Sequence, residues 1–338
     1  MLYIHGAGHY HPENIIDNAF LESLDIGTTN QWIMERVGIE KRHTVMDLKD
    51  IKDTHNKNIG DSEVQISSAQ MGAKAITMAL ARAGISKDQV GMVLAASCSP
   101  TYSLPANACV IAKACQINAF AVDISSACSS FAAHMHFLNN MHAEAIPEYV
   151  VCVIPESWTT TTDFSDRRTA VLIGDGAAAV VVSKKHVAAM KINHTTMTSN
   201  PEAWEKVQTK TGQHFFQEGL SVQKFAIKKT IETFKLLAEK SALPLEQHYF
   251  ISHQANLTML KSVCKKLKIA DKNHLFNVDQ FGNCGAAGAP SVLSQNWNQF
   301  KTGDHITLVV VGAGLTWGGM QISVNEPTKT SNGVSNAA

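Results

Sequence analysis

The 338-residue chain has no excess of charge of either sign. Lys plus Arg and Asp plus Glu number 29 each, so no net field draws it toward nucleic acid or an anionic membrane surface. Any charged partner must be recognised by a local patch. No apolar run approaches the length that spans a bilayer, and the opening "MLYIHGAGHYHPEN" lacks a basic leader followed by an apolar core; we therefore expect a cytoplasmic protein. The seven cysteines, at 98, 109, 115, 128, 152, 264 and 284, are odd in number and show no C-x-x-C spacing. That argues against a disulfide framework or a cysteine-based zinc site and implies free thiols in a reducing compartment. No metal-ligand spacing is present elsewhere, so no bound metal is expected.

What the chain does have is apolar content, 45% of residues against 17% charged, enough for one large domain or two fused smaller ones. Strand-like and helix-like signals alternate twice in a similar order. In the first passage Ile66, Ala69, Ala73, Ile76 and Leu80 fall on one helical face that Gly84 stops, and "VGMVLAAS" at 90–97 reads as a buried strand. A helix over "PANACVIAKACQ", a strand at 119–122, a helix entered through Cys128 and strands at 149–154 and 177–183 complete an α/β half. The second passage repeats the order: a helix near 220–240, strand "HYFIS", a helix over 255–268, a glycine-rich turn at 282–288, and strands at 305–312 and 320–324. We expect an N-terminal half over 1–184, a C-terminal half over 185–325, and a disordered tail over 326–338 with almost nothing apolar to bury. The polar stretches 47–63 and 193–213 read as surface excursions.

"DISSACSSF" places Cys128 among small residues at the start of a helix, where backbone N–H groups and the helix dipole stabilise a thiolate. A cysteine there, taken alone, is more often a packed core thiol. "YFISHQANLTML" puts His253 at the end of an apolar strand, and "FGNCGAAGAPSVL" puts Asn283 in a glycine-flanked turn that lets a polar group approach a ligand closely. In that chain order, the Cys of "SSACSSF", the His of "SHQAN" and the Asn of "GNCGAAG" resemble the Cys-His-Asn triad of the ketoacyl synthase III family, the initiating condensing enzymes of bacterial fatty acid synthesis. "NQWIMERVGIEKRH" (30–43), "DRRTAVLIGDGAAAVV" (166–181) and "GAGLTWGG" (312–319) extend the resemblance from the N-terminus to about residue 324. "GDGAAA" is not a dinucleotide fingerprint, since it lacks the final glycine and precedes a strand.

The resemblance implies the thiolase-like fold, two duplicated α/β halves in an α-β-α-β-α layering, assembled as a homodimer. It implies acyl-CoA or acyl carrier protein thioesters as partners. Cys128 would take the acyl group, with the backbone N–H groups of Cys128 and Ala313 as the oxyanion hole. His253 and Asn283 would hydrogen-bond the carbonyl of a malonyl thioester as it loses carbon dioxide and becomes a carbon nucleophile. Trp32 and Arg36 match residues that hold the adenine end of coenzyme A, Arg167 another nucleotide contact, and Asn256 a pantetheine contact.

Several positions depart from the initiating pattern. Leu104 stands where a phenylalanine from the partner subunit commonly caps the acyl pocket, which implies room for a chain longer than acetyl. Leu220 and Gln223 replace the usual asparagine and phenylalanine of the pantetheine tunnel, Ala313 and Val311 the usual glycine and phenylalanine of the last loop. If that loop needs a positive φ at Ala313, the alanine is strained. Thr258 replaces a carrier-docking arginine; the same helix buries Leu257, Leu260, Cys264 and Leu267 and leaves Lys261, Lys265, Lys266 and Lys268 either to dock an acidic carrier protein or as a solvated basic face. These departures resemble the ketosynthases that make dialkylresorcinols and 1,3-cyclohexanediones by joining a β-ketoacyl thioester to an α,β-unsaturated one. We expect that branch first, with decarboxylative fatty acid initiation as the alternative. An acyltransferase acting on oxygen or nitrogen is disfavoured by Asn283, where such enzymes usually carry Asp, and a non-catalytic partner subunit by the presence of Cys128.

Overall fold

The computed structural model describes residues 1–60, 63–241, 243–244 and 247–326; the expected tail from 327 on lies outside them. Strand β1 (Leu2–Tyr10) owes its position to two glycines. A Cβ on Gly6 would lie 2.2 Å from Ala79 O and one on Gly8 2.0 Å from Ala75 O, so only glycine lets this strand rest directly on helix α1 (Ser68–Ala83). The buried face of α1 accordingly includes Met71, Gly72, Ala75, Ile76, Ala79 and Leu80. Ala73, expected on that face, is only half-buried, because the small residues at 75 and 79 are the ones turned to the strand.

From α1 the chain runs through β2 (Val90–Ala95), α2 (Asn107–Cys115), β3 (Phe120–Asp123), α3 (Ser130–Asn140), β4 (Tyr149–Glu156) and β5 (Gly176–Ser183). The same course follows in β6 (Met190–Ser199), α4 (Gly219–Ala238), β7 (Tyr249–Ser252), α5 (Leu257–Leu267), β8 (His274–Leu275), α6 (Gly288–Gln295), β9 (His305–Gly312) and β10 (Thr316–Val324). These strands form one mixed sheet in the order β8-β7-β9-β10-β6-β1-β5-β4-β2-β3. On either side of the β1–β6 pair the order and sense are the same. Strand β2 is parallel to β3 and β4, as β7 is to β8 and β9, while β5 and β10 run antiparallel to their neighbours. The two sets join where Leu2, Tyr3 and Ile4 pair with Ile192, Lys191 and Met190.

Helices α1 and α2 pack together against the first set of strands, and α4 and α5 against the second. Helix α3 reaches across to β6 and β10 of the second set, whereas α6 lies on β1 and β5 of the first, so these two form the middle layer. The result is the α-β-α-β-α layering of a thiolase-like fold. Strand β4 shows the consequence in its side chains, with both faces buried: Val151 and Val153 pack with Ala75 and Ala79, and Val150, Cys152 and Ile154 with Phe131, Met135 and Leu293.

Both polar stretches lie largely at the surface, as expected, but each contains regular structure. Residues 193–199 belong to β6, hydrogen-bonded through its length to β10 and through its start to β1. Its threonines are β-branched and suit a strand, and its polar atoms find partners: Asn193 donates to Gln321 Oε1 at 2.8 Å, and Thr195 Oγ1 lies 3.0 Å from His136 Nδ1 of α3. In the other stretch, residues Leu48–Thr54 form a helix capped by Asp47, after which the buried Asn56 amide donates to the carbonyls of Thr160 and Thr162. Among the described residues no helix is long and apolar enough to cross a membrane.

Candidate active site

Cys128 lies in the turn joining β3 to α3, beyond the carboxyl end of a parallel strand, where open α/β sheets present ligands. Ala127 before it is held at φ 49°, a left-handed backbone that alanine rarely adopts. The neighbouring serines maintain it. Ser126 N–H donates to Ser130 Oγ at 2.9 Å, Ser130 Oγ donates to Ala127 O at 2.6 Å, and Ser129 Oγ sits 2.6 Å from Thr316 Oγ1 of β10. These serines therefore build the turn that carries Cys128. A hydrogen bond with Cys98, followed by hydrogen bonding and charge from His253, holds the Cys128 thiol well below its ordinary range in spite of its burial.

His253 follows β7 directly; its N–H donates to Val309 O at 2.9 Å, which extends the β7–β9 pairing by one residue and fixes where the imidazole leaves the strand. Its Nδ1 is buried with no hydrogen-bond partner among the described residues. Asn283 is tied by its backbone to the 172–174 segment, through Asn283 N–H to Leu172 O at 2.8 Å and Gly174 N–H to Asn283 O at 3.1 Å. Its Oδ1 accepts Gly285 N–H at 3.1 Å, which leaves the amide Nδ2 as the group to face the cavity. The β9–β10 turn presses on Cys128 from the other side: a Cβ on Gly312 would lie 2.8 Å from Ser129 N and 3.0 Å from Cys128 N. The expected strain at Ala313 is absent, because Gly314, at φ 126°, is the residue of this loop that takes the positive angle.

Cys128, His253, Asn283 and Ala313 line one cavity of about 740 Å³, which also reaches Trp32, Arg36, Arg167, Asn256, Leu220 and Gln223. The first three are buried, whereas Arg36, Arg167 and Leu220 are exposed, so the cavity runs from a sheltered thiol to a cationic and apolar mouth. At that mouth the guanidinium carbons of Arg167 and Arg36 stand 5.0 Å and 5.7 Å from the centre of the Trp32 ring. Asn256 already caps α5 by accepting Met259 N–H at 3.0 Å, and Thr258 Oγ1, 2.6 Å from Arg36 O, ties α5 to the Asn30–Arg36 helix. Lys261, Lys265, Lys266 and Lys268 are exposed along α5. Leu104 is 85% exposed and does not line this chain's cavity.

Residues 122–201 match the family "3-Oxoacyl-[acyl-carrier-protein (ACP)] synthase III", and residues 237–324 match "3-Oxoacyl-[acyl-carrier-protein (ACP)] synthase III C terminal". A beta-ketoacyl-[acyl-carrier-protein] synthase III of Sulfurovum sp. is 32% identical over 330 residues, which span 92% of this chain and 92% of that protein. The chain belongs to the ketoacyl synthase III family. A synthase III of Clostridium tetani is 30% identical over 334 residues, 92% of this chain and 94% of that one. The crystal structure of the Aquifex aeolicus 3-oxoacyl-[acyl-carrier-protein] synthase III superposes with a TM-score of 0.84 at 27% identity, covering 96% of this chain and 100% of that one. The protein is thus a condensing enzyme and an acyltransferase of the synthase III type.

Several supports of this synthase III site carry no signal in sequence patterning. Arg42, fully buried, donates to Val171 O and to Asn18 Oδ1, and so braces the turn that carries Leu172. Asp175 accepts Val45 N–H and Thr159 N–H, each at 2.8 Å. Glu156, at the end of β4, lies beneath the site: Oε2 accepts Cys98 N–H at 2.8 Å from the link after β2, and Oε1 accepts Ala286 N–H at 3.2 Å from the turn that follows Asn283. Burial, with a further contribution from Cys128, pushes the Glu156 carboxyl from its ordinary 4.5 up to about 7. The folded protein therefore keeps a proton that the unfolded chain loses above 4.5. That contribution to stability is fully present below 4.5 and is lost as pH rises through 7, a change of roughly 3 kcal/mol. We expect the urea midpoint of the wild type to fall between about pH 5 and about pH 8 and that of Glu156→Gln to fall less. Equal slopes would show that Glu156 ionises in the fold as it does in water.

Proposed function

We propose that this synthase loads an acyl group from coenzyme A or a carrier protein onto Cys128 and condenses it with a malonyl thioester to give a β-ketoacyl thioester. The observation that carries the reading is the convergence of Cys128, His253 and Asn283 on one cavity whose mouth carries Trp32, Arg36 and Arg167. Cys128 attacks the thioester carbonyl, the carrier thiol leaves, and the N–H groups of Cys128 and Ala313 receive the oxyanion. The malonyl thioester then enters. Its carbonyl accepts hydrogen bonds from His253 and Asn283 as the carboxylate departs as carbon dioxide; the resulting α-carbon attacks the acyl-Cys128 carbonyl, the C–S bond to Cys128 breaks, and the β-ketoacyl thioester leaves as Cys128 returns to thiolate. The synthase III names of the relatives favour this decarboxylating reaction over ring formation.

Ring formation between a β-ketoacyl and an unsaturated acyl thioester stands as the second reading, favoured by the exposed Leu220 at the mouth and by Gln223 within it. We assign the nucleophilic Cys to a half over 1–184 and the His and Asn to a half over 185–325, and we propose a homodimer in which Leu104 reaches the partner's acyl pocket. Lys261 and Lys265 belong to the carrier-docking face in this reading. Purified protein, acyl donors of graded length and malonyl carrier protein should yield one carbon dioxide per β-ketoacyl product. A cyclic dione from β-ketoacyl and enoyl thioesters, with no carbon dioxide from malonyl carrier protein, would establish the second reading instead.

A further inference from the structure

Cys98 is a second thiol at the site, and its role rests on the reading of Cys128 as the acyl carrier. The link from β2 to α2 holds the same place in the first set of strands that the β7–α5 link, with His253, holds in the second. Both links lead out of the parallel strand flanked by two parallel neighbours. From the first link Cys98 places Sγ 3.9 Å from Cys128 Sγ, a hydrogen-bonding distance for two sulfurs.

Cys98 is held there by a built network. Its N–H donates to Glu156 Oε2 at 2.8 Å, and the flanking hydroxyls of Ser97 and Ser99 donate to the same oxygen at 3.1 Å and 3.3 Å. Ser99 Oγ in turn accepts Ser157 N–H at 3.0 Å, beyond the end of β4. The titratable groups around Cys128 are Cys98, His253 and Glu156. Their placement is unequal. His253 and the first turn of α3 face Cys128, whereas Cys98 faces the Glu156 carboxyl, which offers an anion no positive charge in either protonation state, so a single negative charge on the pair settles on Cys128.

We propose that Cys98 is a catalytic residue of this synthase, the S–H donor that stabilises the Cys128 thiolate from the link equivalent to the one bearing His253. The proton stays on Cys98 throughout, and no covalent bond forms between the two sulfurs. As the Cys128 thiolate becomes a thioester the hydrogen bond weakens, and it is restored when condensation returns the thiolate.

Iodoacetamide alkylation of Cys128 in the full-length protein, followed across pH by peptide mass spectrometry, reads the thiolate population directly. Cys98→Ala should move the midpoint up by about one unit and slow alkylation below it about tenfold. Cys98→Ser, which keeps a donor, should restore most of that loss. An alanine profile that superposes on the wild type overturns the proposal. So does an equal shift in the alanine and serine variants, which marks packing rather than donation. Where alanine lowers the melting temperature, Cys98→Val fills the space without a donor and gives the same comparison with serine. Acylation is scored apart from this: an acyl thioester label that persists on Cys128→Ala refutes Cys128 as the carrier, while the alkylation profiles still decide the thiol pair.

Discussion

Cys128→Ala is expected to remove acyl-enzyme formation and to lower condensation by at least about 10³-fold. The reason is chemical as much as positional. Cys128 is the cysteine whose thiol is held low, by Cys98 and His253, while Cys115, Cys152, Cys264 and Cys284 are pushed up by burial; Cys98 beside it is pushed up by its hydrogen bond with Cys128 and also by burial and Glu156, and the last two remain when Cys128 is replaced. The fold should survive the change, because the turn is held by Ser126, Ser129, Ser130 and Thr316 and not by the thiol. Intact-protein mass spectrometry with acyl-CoA and acyl carrier protein donors, run beside a thermal melt, checks both parts. An acyl adduct on the folded variant, or none on the wild type with any donor, would defeat the mechanism.

Replacing Asn283 and His253 should separate the two half-reactions. Asn283→Ala removes one donor to the malonyl carbonyl and should lower decarboxylation and condensation by about 10²–10³-fold. Acylation should continue near the wild-type rate, because Asn283 is not among the groups that set the Cys128 thiol. His253→Ala removes a donor of the same kind and also one of the groups that hold Cys128 as thiolate, so it should slow acylation as well as condensation. Rapid-quench measurement of acyl-enzyme against carbon dioxide release distinguishes these outcomes. Equal slowing of acylation by both variants would place Asn283 in the first half-reaction and contradict its proposed role.

Gly312 and Ala313 show how narrowly the loop opposite Cys128 is specified. The close approach of two backbones falls on Gly312 and the left-handed angle on Gly314, while Ala313 between them lines the cavity. The alanine would be strained only if the loop needed a positive φ there; the torsion angles place that requirement one residue later.

Local patterning was enough for much of this protein. Apolar runs longer than a turn, ended by glycine or polar residues, located β2, β4, β5, β9 and helices α1, α4 and α5 to within a few residues, since each must bury its own face. The residues Cys128, His253 and Asn283 were legible as well, because each follows a strand or lies in a turn and each sits in a recognisable string. Strand β6 was not: its threonines and asparagine show no apolar alternation, and only hydrogen bonding to β10 and β1 makes it a strand. Glu156 and Cys98 were equally silent, as their partners lie 58 and 30 residues away in the chain. A short string of sequence records what a residue is and the period of its neighbours. Which buried carboxyl anchors which loop, and which second thiol meets the first, depends on distances that exist only once both sets of strands have packed around α3 and α6.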